Sequence, residues 1–416
     1  ILRSPKDPED SDSAVTEAAP PATDSAAPSD AAAPEREILV ERPEPRVVDI
    51  ESRLTDRMAG IELDGQPLVK FLRLMSDFST IPITLDADSL PWSKLTPASP
   101  IKLVRQGATA ADVLTAALES HGLHFVVDGD QLFVTRRPKE STGRRSVRLD
   151  VTDLTSEDSG RLQKLGLAIT EMVAPDSWST RGGSGTIAFE GSTLIVEQQE
   201  TVLLEVLAFC EKLRVARGLP TRSPYDAQLF RLDSRTQRAA AKLRQPISLT
   251  YIRPALLQRI LDRVGEATGT YLLVDWKAVG EEGWNTAAET QFTVADKPLS
   301  EALQTLLGPM GLTYRVVDES TLQITTPAAL QARLETEFYR LDGLLKGSSP
   351  EDLLSGVQAA VGPEHFAEHG GGGHVAIDAE SKCLLALLPQ PQQVALEQWL
   401  TKQRAPAPEL TPTATR

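Results

Sequence analysis

The chain of 416 residues lacks any run of about 20 apolar residues, so no segment reads as a membrane-spanning helix. It is also short of basic charge: 43 Lys and Arg stand against 58 Asp and Glu, a formal net charge of −15. An acidic surface repels phosphate backbones and anionic head groups, which excludes nucleic acid as an expected partner and argues against docking on lipid. Cysteine is nearly absent. Cys210 and Cys383 lie in different segments without a C-x-x-C spacing, so they make no zinc cluster on their own. They are expected as small apolar residues in separate cores, since a bridge would require two distant modules in close contact. Catalytic signatures are missing too. Gly182-Gly183-Ser184-Gly185 lacks the frame of a nucleophile elbow, glycines 370–373 lack the Lys-Ser/Thr of a phosphate loop, and Glu281-Glu282 sits in a glycine-rich turn that keeps carboxylates solvated. No catalytic residue and no cofactor is assigned, and the chain is not expected to be an enzyme.

What is present divides unevenly. Residues 1–57 are rich in Ala, Pro, Asp, Glu and Ser over most of their length and poor in large apolar residues. Such a segment cannot bury enough surface to offset its ordering entropy, and it is expected to be a disordered, extended tether. Residues 405–416, with Pro406 and Pro408, read as a loose tail. The chain opens on Ile1 rather than Met, which leaves room for an anchor or leader upstream.

Between these ends lies an internal repeat. In residues 58–138, Ile61 and Leu63 alternate with polar residues as in a strand, and Leu68, Phe71, Leu72 and Met75 follow helical spacing. Ile83 and Leu85, then Ile101 and Leu103, are further strands. Thr109 opens a second helix with Asp112 as its capping acid, and Asp128-Gly129 turns a closing hairpin. The order is β-α-β-β-α-β-β. Residues 246–327 repeat it: Asp275 answers Asp86 and Gly311-Leu312 answers Gly122-Leu123, both at an offset of about 189 residues. A second unit follows each copy, at 145–217 and 336–404, with the order β-α-β-β-α. There Pro363, Phe366 and Gly370-Gly371 answer Pro175, Trp178 and Gly182-Gly183. The expected fold class is therefore α/β (α+β), as tandem small two-layer modules A, B, A′ and B′, with a polar connector at 218–245. The tripeptide Arg-Leu-Asp occurs at 148–150, 231–233 and 340–342, either as the mark of a strand edge and its turn at the start of each type B unit or as a chance recurrence.

Type A units resemble the secretin and TonB N-terminus short domain (STN). The residues that carry the likeness are Leu68 to Met75, Ile83 to Leu85 and Gly122-Leu123, with Pro298-Leu299, Ala302-Leu303 and Gly311-Leu312 in the second copy. Type B units resemble the small periplasmic N-domains of secretins, through Val173-Ala174-Pro175-Asp176-Ser177-Trp178, the Gly182-Gly183 loop and Leu194-Ile195-Val196. Secretins continue into an outer-membrane β-barrel, for which this sequence has no counterpart. The resemblance thus implies a periplasmic or envelope location and contact with protein partners, self-association included, as a ring layer or an adaptor. Two other readings stand beside it. STN units also relay signals in TonB-dependent systems. His365, His369 and His374 flank a glycine loop and are weak candidates for a metal-dependent binder, although no Cys or tight carboxylate pattern completes a ligand set. Trp178, Trp276 and Trp284 are candidate interaction anchors, with small-core packing as the competing role.

Overall fold

The computed structural model describes residues 40–137, 143–346 and 349–404. Residues 1–39 of the expected tether and the tail 405–416 lie outside the described residues. Residues 40–57 do not behave as a tether. Asp49 accepts from Ser52 N and caps helix α1 (Ile50–Leu54), whose Ile50 is buried in the core of the first unit. Val40 packs against the core of A′, and Asn285 Nδ2 donates to the Glu44 carbonyl at 3.0 Å. The few apolar residues here find ready-made grooves, which composition alone does not reveal.

Unit A continues with β1 (Gly60–Pro67), α2 (Leu68–Ser79), β2 (Ile83–Leu85), β3 (Pro100–Gln106), α3 (Ala110–Glu119), β4 (Leu123–Asp128) and β5 (Gln131–Arg136). Leu68, Phe71, Leu72 and Met75 form the buried stripe of α2, and a full Thr109–Asp112 capping box starts α3. The five strands do not make one sheet. β1 and β3 pair as an antiparallel ribbon, while β2, β5 and β4 form a sheet in that order with β2 parallel to β5.

Unit B contains β6 (Arg144–Asp150), α4 (Thr152–Thr155), α5 (Ser159–Met172), β7 (Thr186–Glu190), β8 (Thr193–Gln199) and α6 (Glu200–Ala216), with sheet order β6-β8-β7. The connector is not a passive link. Phe230 is fully buried, and α7 (Arg235–Leu243) places Ala239 in the A′ core. Ile50 in α1 and Ala239 in α7 stand at the repeat offset, so each type A unit begins one helix earlier than hydrophobic alternation indicates.

Unit A′ follows with β9 (Pro246–Leu256), α8 (Leu257–Thr268), β10 (Tyr271–Val274), α9 (Trp276–Glu281), β11 (Glu289–Pro298), α10 (Leu299–Leu307), β12 (Thr313–Val316) and β13 (Thr321–Thr325). It repeats the ribbon (β9, β11) and the sheet β10-β13-β12. Helix α9 stands where unit A has a short 3-10 turn at Pro91–Ser93; Asp275 caps it through Ala278 N, whereas the equivalent Asp86 accepts from Thr135 Oγ1 at 2.6 Å. A short helix α11 (Pro327–Ala332) leads into unit B′: β14 (Leu334–Arg340), α12 (Pro350–Val361), β15 (His374–Asp378), β16 (Cys383–Pro389) and α13 (Gln390–Arg404), with sheet order β14-β16-β15.

The cores run across unit boundaries. Leu273 and Val317 of A′ join the core of A. Phe338, Cys383, Leu385 and Leu387 of B′ join the core of B, while Leu384, Ala386 and Leu388 face the core of B′ itself. All seven residues of β16 are buried, so that strand is covered on both faces. Cys210 and Cys383, expected in separate cores, therefore share one, and both are free thiols.

Candidate interaction surfaces and the buried charge network

The three tryptophans singled out by the sequence are all buried. Trp178 donates from Nε1 to the Val173 carbonyl at 2.7 Å, and Trp284 to the Met310 carbonyl at 2.9 Å. Trp276 lies in the A′ core. None presents the open face an anchor requires, because units this small recruit their largest side chains for their own cores. The histidines diverge. His365 Nε2 lies 3.0 Å from Gln392 Nε2, His374 Nε2 lies 3.2 Å from Arg181 Nη2, and His369 is exposed in a 3-10 turn. Among the described residues no group of three or more His, Cys, Asp and Glu is placed to hold a metal ion. The glycine pairs have a steric cause instead. A Cβ on Gly183 would stand 2.2 Å from the Ser177 carbonyl, and one on Gly371 would stand 2.4 Å from that of His365. Both loops fold back on their own backbone, which only glycine permits.

Sequence reading missed a largely buried cluster of charged side chains among the described residues. Asp88 of unit A receives Arg235 from α7, Arg315 from β12 and Arg333 from the start of B′, the last two at 2.6 Å. Arg315 also reaches Glu335 Oε1 at 3.3 Å and donates to Gln323 Oε1 at 2.7 Å. Arg235 contacts Glu335 at 3.4 Å, and Lys212 of α6 pairs with Glu337 at 3.3 Å. The cluster thus ties A, B, the connector, A′ and B′ to one point. Burial pushes the Asp88 carboxyl up, but the guanidiniums of Arg315, Arg235 and Arg333 outweigh it and hold its pKa well below the usual carboxylate range. Burial likewise opposes the charge on Arg235, and Glu335, Asp88 and Glu337 more than restore it.

Strand edges and sheet faces show which surfaces are already occupied. Edge strand β2 lies against edge strand β10 and the start of α9: Thr84 Oγ1 is 3.4 Å from the Val274 carbonyl and accepts from Trp276 N at 2.9 Å. The free edge of β12 is closed by Gln390, whose amide accepts from Val316 N at 2.7 Å and donates to its carbonyl at 2.9 Å. The helices of B lie on the outer face of the B′ sheet. Phe209 packs on Phe338 with ring centroids 5.5 Å apart, Lys212 stands 5.8 Å over the same ring, and Arg217 binds Asp378 at 2.6 Å. The matching outer face of the B sheet is polar. Strand pairing puts Arg148 opposite Ile195 where B′ has Phe338 opposite Leu385, and Arg148–Glu190 and Arg144–Glu197 ion pairs cross that surface at 2.8 and 3.3 Å. Exposed large apolar side chains are spread over several elements, among them Leu74 and Phe78 on α2, Val126 and Val127 on β4, Leu167 on α5 and Phe189 on β7; on the type A ribbons they are Ile252 (78% exposed) and Leu256 on β9, and Val104 on β3.

No family model matches this chain, and no curated protein matches it. Among solved structures it is similar to the N-terminal domain of the secretin XcpQ from Pseudomonas aeruginosa, at 19% identity over 39% of this chain and 66% of that one, with a TM-score of 0.14. The Vibrio cholerae type IV competence pilus secretin PilQ matches at 13% identity over 37% of each chain, TM-score 0.16. The Klebsiella pneumoniae type II secretion outer-membrane complex of PulD, PulS and the PulC HR domain matches at 11% identity over 83% of this chain and 50% of that one, TM-score 0.16. The chain spans two thirds or less of the length of each of these three. Among the described residues no helix is long and apolar enough to cross a membrane.

Proposed function

We propose that this chain is a non-enzymatic protein-interaction module of a bacterial envelope, placed in the periplasm, with STN-like A units and secretin N-domain-like B units acting as an adaptor rather than a self-stacking ring layer. The observation that carries the adaptor reading is that repeat-to-repeat contacts are satisfied inside one chain. The β2 edge lies against β10 and the start of α9 through Thr84, and the helices of B cover the sheet of B′. The next acceptor face in such a stack, the outer surface of the B sheet, carries Arg148, Glu190, Arg144 and Glu197 in place of an apolar layer. A heterologous stack continues only while each acceptor face matches the donor, so this one stops at two layers. The surface assigned to a partner is the two-stranded β9–β11 ribbon, where Ile252 is exposed beside a strand edge, a setting suited to strand addition.

Ile252→Asp tests this. The side chain is exposed, so the expected change in stability is within about 0.5 kcal/mol. Capture of an envelope protein by the full chain should fall at least tenfold. Undiminished capture by the variant, or no capture by the wild type, contradicts the adaptor reading.

A further inference from the structure

We infer that A and A′ are a fused two-fold pair, and that opposite charges at equivalent positions make each unit pair with the other type and not with its own. Arg73 of α2 and Asp262 of α8 occupy the same position in the repeat, and they bind each other at 2.7 Å. In a two-fold contact only a position near the axis meets its own equivalent. A second pair of positions reciprocates. Arg235 Nη1 bridges Asp88 and the Val317 carbonyl, while Lys277, at the position of Asp88, binds Asp128, at the position of Val317, at 3.1 Å. The segments leading into the two units cross over as well. Arg42, ahead of A, lies 5.8 Å over Trp284 of A′, and Tyr225, ahead of A′, stands edge-on to Trp92 of A at 5.1 Å.

The charges at these positions distinguish right from wrong pairs. An A–A pair would set Arg73 against Arg73 and Asp88 against Asp128. An A′–A′ pair would set Asp262 against Asp262 and leave Lys277 facing Val317. Only A with A′ gives Arg73–Asp262 and Lys277–Asp128. Repulsion in the like pairs disfavours exchange of A units between chains, the hazard every tandem repeat carries.

The test uses two full-length variants, Arg73→Asp and Asp262→Arg. Arg73 is partly buried at 25% side-chain exposure and Asp262 is half exposed at 49%, so the charge-swapped double variant, which keeps the ion pair, serves as the control for the fold. Each variant alone holds like charges at the axis. When both are co-expressed with different tags, A of one chain complements A′ of the other, and a cross-chain heterodimer should form. Two restored ion pairs at exposed sites set the expected enrichment at about tenfold over either variant alone. The double variant Arg73→Asp/Asp262→Arg should be monomeric with an unchanged Tm. Heterodimer no more abundant than homodimer, or a double variant that is destabilised like the single ones, overturns the inference.

Discussion

Asp88→Ala should destabilise the chain by about 3–5 kcal/mol, the cost of removing one partner from a buried ion cluster. Three guanidiniums converge on this carboxylate, and the Arg315 side chain is only 4% exposed, so its charge has no route to water once Asp88 is gone. The loss should appear in denaturant unfolding as a lower midpoint. It has a pH signature of known sign. The folded-state pKa of Asp88 is depressed, whereas an unfolded Asp titrates near 3.9. The wild-type stabilisation is therefore complete above about pH 4 and is lost as pH falls through the folded value. The variant lacks that contribution at every pH, so the gap between the two proteins should close in acid. A gap that stays constant down to pH 2 would mean that Asp88 stabilises through packing rather than charge.

Phe338→Ala should cost a similar amount, about 3–5 kcal/mol, because a fully buried aromatic leaves a cavity between two units. Phe338 lies in β14 but contributes to the core of B, against Phe209 and beneath Lys212. Its loss should loosen B from B′, and the two thiols report that loosening. Cys210 and Cys383 share this core, and burial pushes the Cys210 thiol up to about 12. In the wild type both should resist a thiol reagent in the absence of denaturant. In Phe338→Ala both should react. A destabilised variant whose thiols stay protected would place the damage within B′ alone.

The element order of both unit types was legible because short amphipathic helices and alternating strands leave clear periods: Leu68, Phe71, Leu72 and Met75 read directly as a helix face. Alternation does not reveal which edges pair, so the separation of each type A unit into a ribbon and a sheet was not legible. Helix α1 was lost inside polar surroundings, and the connector, though helix-friendly through Ala239-Ala240-Ala241, gave no sign that α7 belongs to the A′ core, since Ile50 with Leu54 and Ala239 with Leu243 supply too few apolar positions for a stripe. One strong signal was available. Cys383-Leu384-Leu385-Ala386-Leu387-Leu388 is a continuous apolar strand, where its counterpart in B alternates and turns polar at Glu197. An uninterrupted run means cover on both faces, and that reading leads to the B–B′ contact. The charge cluster had no such trace. Asp88, Arg235, Arg315 and Glu335 are far apart in sequence, and an acid or base in a surface-like setting gives no sign that folding will bury it. For the tryptophans the sequence offered two roles, anchor or core, and favoured the core; the structure buries each in the core of its own unit.

The central claim is that one chain satisfies its own repeat contacts. Light scattering of the full chain from low micromolar to near-millimolar concentration tests it most directly. The expected result is a constant mass near the 45.1 kDa of a single chain. A defined oligomer that assembles with concentration would contradict it, and would show that the polar face of the B sheet or the type A ribbons join one copy to the next.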